Sequence, residues 1–187
     1  QSIDPENRAN QRWAFETGDE IRTSPTVVDG TLYAVSVGGS VHAIDIVSGD
    51  ERWQYTIDGP LLTMPAVNRG TVYVSSGTGE VVALDTESGS EQWSYDAGAA
   101  VYTAPTVSAG RVWIGTVNGV VTTINDDGSE DWTRAVGGSV IGSPALVNTI
   151  LVVGTREGTI IGFDQQSGTQ QWRASISGQI SGSPCAT

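Results

Sequence analysis

The chain has 187 residues, 38% of them hydrophobic and only 16% charged, with 24 glycines, which is a turn-rich globular composition rather than a disordered one. Nine basic residues, all arginine, stand against 21 acidic ones, so the net charge is −12; such a surface repels phosphate backbones and anionic lipid, and excludes nucleic-acid binding as the main role. No run of about 18 apolar residues spans a membrane, and the single cysteine, Cys185, forms no intrachain disulfide framework.

Read from the start, Ser2, Ile3 and Asp4 followed by Gln11, Arg12 and Trp13 look like two strands and the turn between them. A longer pattern then begins. Ile21 to Val28 carries Pro25, Asp29-Gly30 turns the chain, and Leu32 to Val35 is rich in the β-branched and aromatic residues that strands favour. Gly38-Gly39 suits a hairpin turn that needs positive φ. Val41 to Asp45, the Ser48-Gly49 turn and Glu51 to Tyr55 complete a unit of four strands.

The unit then recurs. The second carries Leu61 to Val67, Val72 to Ser75, Val81 to Asp85 and Glu91 to Tyr95. The third has Val101 to Val107, Val112 to Thr116, Val120 to Asn125 and Asp131 to Thr133, with Asn118-Gly119 as its clearest turn. The fourth uses Val140 to Val147, Leu151 to Gly154, Thr159 to Asp164 and Gln170 to Arg173. Trp13, Trp53, Trp93, Trp132 and Trp172 are spaced by 40, 40, 39 and 40 positions, and Pro25, Pro65, Pro105, Pro144 and Pro184 keep the same spacings. Two residue types holding one period mark a repeat architecture. A four-stranded antiparallel unit cannot cover both its faces alone, and radial stacking does so while leaving only short edges. The expected fold is therefore an all-β propeller in one domain, with blades at about 18–57, 58–97, 98–136 and 137–176.

The last residues, Gln179 to Cys185, look like a first strand. Residues 1–17 and 177–187 would together form a split fifth blade lacking its second strand. Three arrangements follow: the ends meet and close a ring, the chain is part of a longer propeller, or other copies complete the blade through Ile3, Trp13, Ile180 and Pro184.

Ala43 to Trp53, with the Asp45, Gly49 and Trp53 spacing, and Ala83 to Trp93, with Asp85, Gly89 and Trp93, resemble the tryptophan-docking motif of PQQ-type, quinoprotein-like propellers. Gly162 to Trp172 is a close variant, and Thr123 to Trp132 departs more, with Asn125 and a shortened turn. The resemblance implies that Trp13, Trp53, Trp93, Trp132 and Trp172 each pack between adjacent blades. It does not carry one function, because the same fold serves quinone-dependent dehydrogenases, a scaffold of the outer-membrane assembly machinery and surface domains. The dehydrogenases imply a quinone, a Ca²⁺ site, an aspartate base and often a disulfide of adjacent cysteines, which a single cysteine cannot make.

Other candidates read as structural. His42 aligns with Val82, Thr122 and Ile161, which marks a packing site, and one histidine makes no zinc centre. Asn125 to Asp131 gathers oxygen ligands but lacks the alternation of a calcium loop. Asp45, Asp85 and Asp164 recur once per unit, as residues that fix a turn do. Thr23, Ser24, Thr63, Thr103, Ser143 and Ser183 flank the prolines with no histidine to activate them, and Trp113 is expected in the core.

The expectation is a non-enzymatic scaffold or protein-recognition module without cofactor or metal. The alternatives are a self-assembling structural protein and a quinone-dependent enzyme. Short acidic loops point to a protein partner. An acidic, lysine-free surface suits molar salt, where screening acts within about 3 Å. The expected place is extracellular or the cell surface of a salt-adapted prokaryote, with any secretion signal already cleaved.

Overall fold

The computed structural model describes residues 12–184; Ile3 and Cys185 lie outside the described residues. It contains four antiparallel sheets, each made of four strands in sequence order. The first blade is β1 (Thr26–Val28), β2 (Thr31–Val35), β3 (Ser40–Asp45) and β4 (Glu51–Thr56). The second is β5 (Ala66–Asn68), β6 (Thr71–Ser75), β7 (Glu80–Asp85) and β8 (Glu91–Asp96). The third is β9 (Thr106–Ser108), β10 (Arg111–Gly115), β11 (Val120–Asn125) and β12 (Glu130–Ala135). The fourth is β13 (Ala145–Val147), β14 (Ile150–Gly154), β15 (Thr159–Asp164) and β16 (Gln170–Ser175).

The first strand of every blade is shorter than its apolar pattern suggests. Ile21 to Val28 becomes Thr26–Val28, and the other three shorten alike. Pro25 and its counterparts have no N–H to give to a ladder. The residues before each proline bond to hairpin turns instead: Glu20 O accepts from Val37 N of its own blade (2.8 Å), while Val101 N and Val140 N donate to Ser76 O (3.3 Å) and Thr116 O (3.1 Å) of the preceding blade.

The core lies between blades. One apolar cluster joins Tyr33, Val35 and Trp53 to Val72, Val74 and Leu84 of blade two. A second joins Tyr73 and Trp93 to Val112, Ile114 and Ile124. A third joins Trp113 and Trp132 to Leu151, Val153 and Phe163. The middle strands are buried on both faces, as the run Thr71–Ser75 is throughout. Trp113 is core as its strand position predicts, 1% exposed. First strands approach one another across blades, β1 near β5 and β5 near β9, so they form the innermost layer.

Each β3–β4-type pairing carries a register shift at the same place, Ala43/Ile44 in the first blade and Gly162/Phe163 in the last. The bulge turns the outer strand so that its tryptophan faces the next blade. The tight turns before β2, β6, β10 and β14 hold non-glycine residues at positive φ: Asp29 (48°), Arg69 (48°), Ala109 (51°) and Asn148 (54°). Such turns favour Asn or Gly there. Ala109→Asn should therefore raise stability by up to about 1 kcal/mol, or about 2–4 °C in melting temperature for a chain of this size. Thermal unfolding of the two proteins checks this; a lower midpoint for the variant would contradict it.

Candidate functional site

The candidate site grows out of how the blades meet. Trp53 Nε1 donates to Thr86 O (2.9 Å), Trp93 Nε1 to Asp126 O (2.9 Å) and Trp132 Nε1 to Gln165 O (3.2 Å). Trp13 Nε1 donates to Ile46 O (3.0 Å) in the same manner. Each ring lies on a turn glycine of the following blade: a Cβ on Gly49, Gly89, Gly128 or Gly168 would stand 2.5–2.8 Å from Trp13, Trp53, Trp93 or Trp132. These four glycines also have positive φ, so no other residue fits the contact. Trp53, Trp93 and Trp132 are 6–8% exposed, whereas Trp172 is 41% exposed.

Two residues beyond the tryptophan, a second contact crosses each joint. Tyr55 OH donates to Glu91 Oε2 (2.5 Å) and Tyr95 OH to Glu130 Oε2 (2.6 Å). At the joint between blades three and four the residue is Arg134, whose guanidinium donates to Gly168 O and Ser167 O, both at 2.9 Å. Burial, followed by the neighbouring glutamate, pushes both tyrosine hydroxyls up to about 12.

The inner layer is tied by hydroxyls. Thr26 Oγ1 donates to Pro65 O and Thr106 Oγ1 to Pro144 O, both at 2.6 Å. Thr63 Oγ1 lies 3.0 Å from Ser75 Oγ, which donates to Thr103 O (2.9 Å). Ala104 N donates to Ser143 Oγ (2.8 Å), and Ser143 N to Ser183 Oγ (2.9 Å). These hydroxyls hold neighbouring strands; they are not aligned with any base.

The recurrent aspartates close their own turns. Asp45 Oδ1 accepts from Val47 N and Ser48 N, Asp85 from Glu87 N and Ser88 N, and Asp164 from Gln166 N and Ser167 N. Arg52 first, then the Ser48 and Val47 amides, holds the Asp45 carboxyl far below the carboxylate range. In the shortened third turn Asp127 takes over, accepting from Ser129 N (2.9 Å), and Asp131 pairs with Arg111 at 3.2 Å. Among the described residues no three His, Cys, Asp or Glu side chains converge. The recurrent aspartates are engaged in their own turns. His42 is buried and places Nδ1 2.7 Å from Glu51 Oε1, with Nε2 unpartnered; its aligned positions do not foretell the pair.

Of the proposed strand-exchange residues, Trp13 covers blade one. Residues 177–184 lie along blade four: Ser183 accepts from Ser143, and a Cβ on Gly154 would stand 3.1 Å from Ile180. Pro184 lines an open apolar notch with Ile160, Ile176 and Ile180. Among the described residues no hydrogen bond joins residues 12–20 to residues 176–184.

The two ends of the blades differ in chemistry. One end carries the β1–β2-type and β3–β4-type turns, tied by Ile46 N to Gly30 O and Thr86 N to Gly70 O, and bears Asp29, Asp50, Glu87, Asp126 and Asp127. The other carries the links between blades. There Leu61, Thr63 and Pro65 point inward while Leu62 and Met64 are 36% and 46% exposed; on the next blade Tyr102 is 42% exposed. A Cβ on Gly77 would stand 2.8 Å from Pro60 and 3.3 Å from the Tyr102 ring, so Tyr102 and the link of blade two are neighbours. This end is acidic as well, with Asp19, Glu20, Asp58, Asp96 and Glu157 on its links and turns, as expected of the loops as a whole.

Four-stranded blades joined by ringed tryptophans define a β-propeller of the PQQ type. A family model described as "Outer membrane protein assembly factor BamB" matches residues 2–99 and 59–186, and the chain belongs to that family of PQQ-type repeat propellers. A search of curated proteins gives no match. Among solved structures, BamB from Moraxella catarrhalis is similar at 22% identity with a TM-score of 0.80, over 91% of this chain and 57% of that one. Quinohemoprotein alcohol dehydrogenase from Comamonas testosteroni is similar at 19% identity and a TM-score of 0.76, over 86% of this chain and 35% of that one. The computationally designed Ika4 protein matches at 16% identity and a TM-score of 0.73, over 80% of this chain and 93% of that one. The chain thus spans little more than half of that BamB and about a third of that dehydrogenase. At these identities the likeness shows the fold alone.

The tyrosine joints set an alkaline limit. Both hydroxyls titrate higher in the fold than the value near 10 of an unfolded chain. Their contribution is complete below about pH 10 and is lost as pH rises toward about 12. Chemical unfolding across pH 8 to 12 should show stability falling in that window, and Tyr55→Phe with Tyr95→Phe should flatten the fall. An unchanged fall in the double variant would contradict it.

Proposed function

We propose that this chain is a non-catalytic protein-recognition scaffold that acts outside the cytoplasm, associated with the outer membrane or cell surface, in a salt-adapted organism. The observation that carries the reading is the apolar trio Leu62, Met64 and Tyr102 at the end that bears the inter-blade links, on a family fold whose recurrent aspartates are engaged in turns. Exposed apolar side chains grouped on a rigid frame mark contact surfaces. The BamB family description supports a protein-assembly role. The lysine-free charge of −12 supports salt adaptation. Among the described residues no helix is long and apolar enough to cross a membrane.

The test compares capture of native extract proteins by the chain and by Leu62→Glu with Met64→Glu. One defined protein, identified by mass, should be held by the parent and lost at least tenfold by the double variant, with melting unchanged. Equal capture by both would overturn this surface.

A second reading, self-assembly, rests on the outer face of blade four. Trp172 and Ile176 are 41% and 51% exposed, whereas the aligned Trp132 and Val136 are 6% and 1%. The face has the shape of a blade joint, and another copy's blade would fit it. Light scattering in molar salt should then show concentration-dependent mass, abolished by Trp172→Glu. A monomer at every concentration would overturn this reading.

A further inference from the structure

The joints are not interchangeable, and the first one departs from the others in three places at once. The residue two beyond the tryptophan is Phe15 in the first joint, Tyr55 in the second, Tyr95 in the third and Arg134 in the fourth. The residue two before the tryptophan of the receiving blade is Glu51, Glu91, Glu130 and Gln170 in the same order. The pairs match in kind. A tyrosine hydroxyl meets Glu91 and Glu130. The one cation, Arg134, faces a blade with the neutral Gln170 and donates to backbone carbonyls. Phe15 has no hydroxyl, so it has nothing to donate to Glu51.

His42 fills that gap. Its Nδ1 lies 2.7 Å from Glu51 Oε1, and the Phe15 ring meets the imidazole edge-on at 5.4 Å between centroids. The imidazole is 3% exposed and is squeezed between β2 and β4, opposite Ala34 and Gln54. Ala34 makes the space: the aligned residues opposite Val82, Thr122 and Ile161 are Val74, Ile114 and Val153. Three changes in one joint — Phe for Tyr, His for an aliphatic or Thr, Ala for a larger residue — are thus complementary in shape and in hydrogen bonding. A histidine left by chance would find no such partner or cavity, and a half-buried glutamate without a donor is costly.

We propose that the incoming face of blade one is a selective surface, built from Ala34, His42 and Glu51 to accept an outer strand of the Trp-x-Phe kind. The receiving residues two before each tryptophan, with the residue at the His42 position, read the side chain two beyond the docked tryptophan. The chain thereby distinguishes four otherwise similar joints and rejects pairing out of order, as a repeat protein with equivalent interfaces must. The residue two beyond Trp172 is Ala174, which offers neither ring nor donor, so blade four's outer strand is a poor competitor for the Phe15 place.

The test is a double-variant cycle in the full chain. His42→Val should lower the melting midpoint by about 2–4 °C, since it removes the donor from Glu51. Phe15→Tyr should add little in the parent, where Glu51 is already held. In the His42→Val background the same Phe15→Tyr should recover most of the loss, because the joint becomes the Tyr–Glu–Val kind of blade two. An equal effect of Phe15→Tyr in both backgrounds, or no recovery, overturns the proposal. If His42→Val does not fold, His42→Thr, the residue of blade three, carries the same comparison with the same two outcomes.

Discussion

A four-stranded sheet whose middle strands are apolar on both faces is not stable until both faces are covered. Here the outer faces of blades one to three are covered by the next blade, and the tryptophan of the outer strand is the side chain that makes the cover fit. A buried indole removes about 150–250 Å² from water, on the order of 4–6 kcal/mol gross at about 25 cal/mol per Å². The indole N–H finds a carbonyl of the next blade at 2.9–3.2 Å in the three joints between complete blades, so no polar atom is sacrificed in burying the ring. The ring needs a turn without a side chain beneath it, which is why Gly89, Gly128 and Gly168 occur where they do. One contact therefore dictates the bulge on the outer strand, the glycine of the next turn and the register between blades.

The period and the element types are legible in the sequence because tryptophan, proline and turn glycine each serve one geometric need per blade. The length of the first strand is not legible. The apolar alternation of Ile21 to Val28 continues through Pro25, yet only Thr26–Val28 pairs, because Pro25 has no N–H to give to the ladder. Periodicity registers which faces are buried, not which sheet a backbone N–H joins. The same limit applies to His42. Aligning it with Val82 and Ile161 correctly makes it a buried packing residue, but the glutamate that partners it lies nine positions on. The missing hydroxyl at Phe15 is the signal that connects them, and it is visible only when the two departures are read together.

The candidate surface was still less legible. Leu62 and Met64 alternate with Leu61, Thr63 and Pro65 as any half-buried strand does. What sets them apart is position: their segment leads into β5 of the innermost layer, and Tyr102 of the next blade stands beside its link through the bare backbone of Gly77. The acidic residues, by contrast, announced themselves through recurrence, and the recurrence proved to be architectural. Asp45, Asp85 and Asp164 accept amides of their own turns, and Asp127 substitutes when the turn is shortened. A repeated carboxylate in a propeller is thus weak evidence of chemistry.

This separation of roles bears on how contacts of each kind respond to salt. Turn carboxylates bonded to amides keep their charge at one end of the blades, where screening suppresses their mutual repulsion. The other end combines carboxylates with exposed apolar side chains, and apolar contacts there strengthen rather than weaken when excluded salts favour burial. A partner held through Leu62, Met64 and Tyr102 would therefore remain bound under conditions that dissolve an ion-paired complex. The joints follow the same logic: they rest on buried rings and on hydrogen bonds to carbonyls, and the charged side chains that cross them are held by direct, short contacts. Burial of apolar area is thus the shared basis of the joints and of the exposed apolar surface, with like charge left to keep molecules apart.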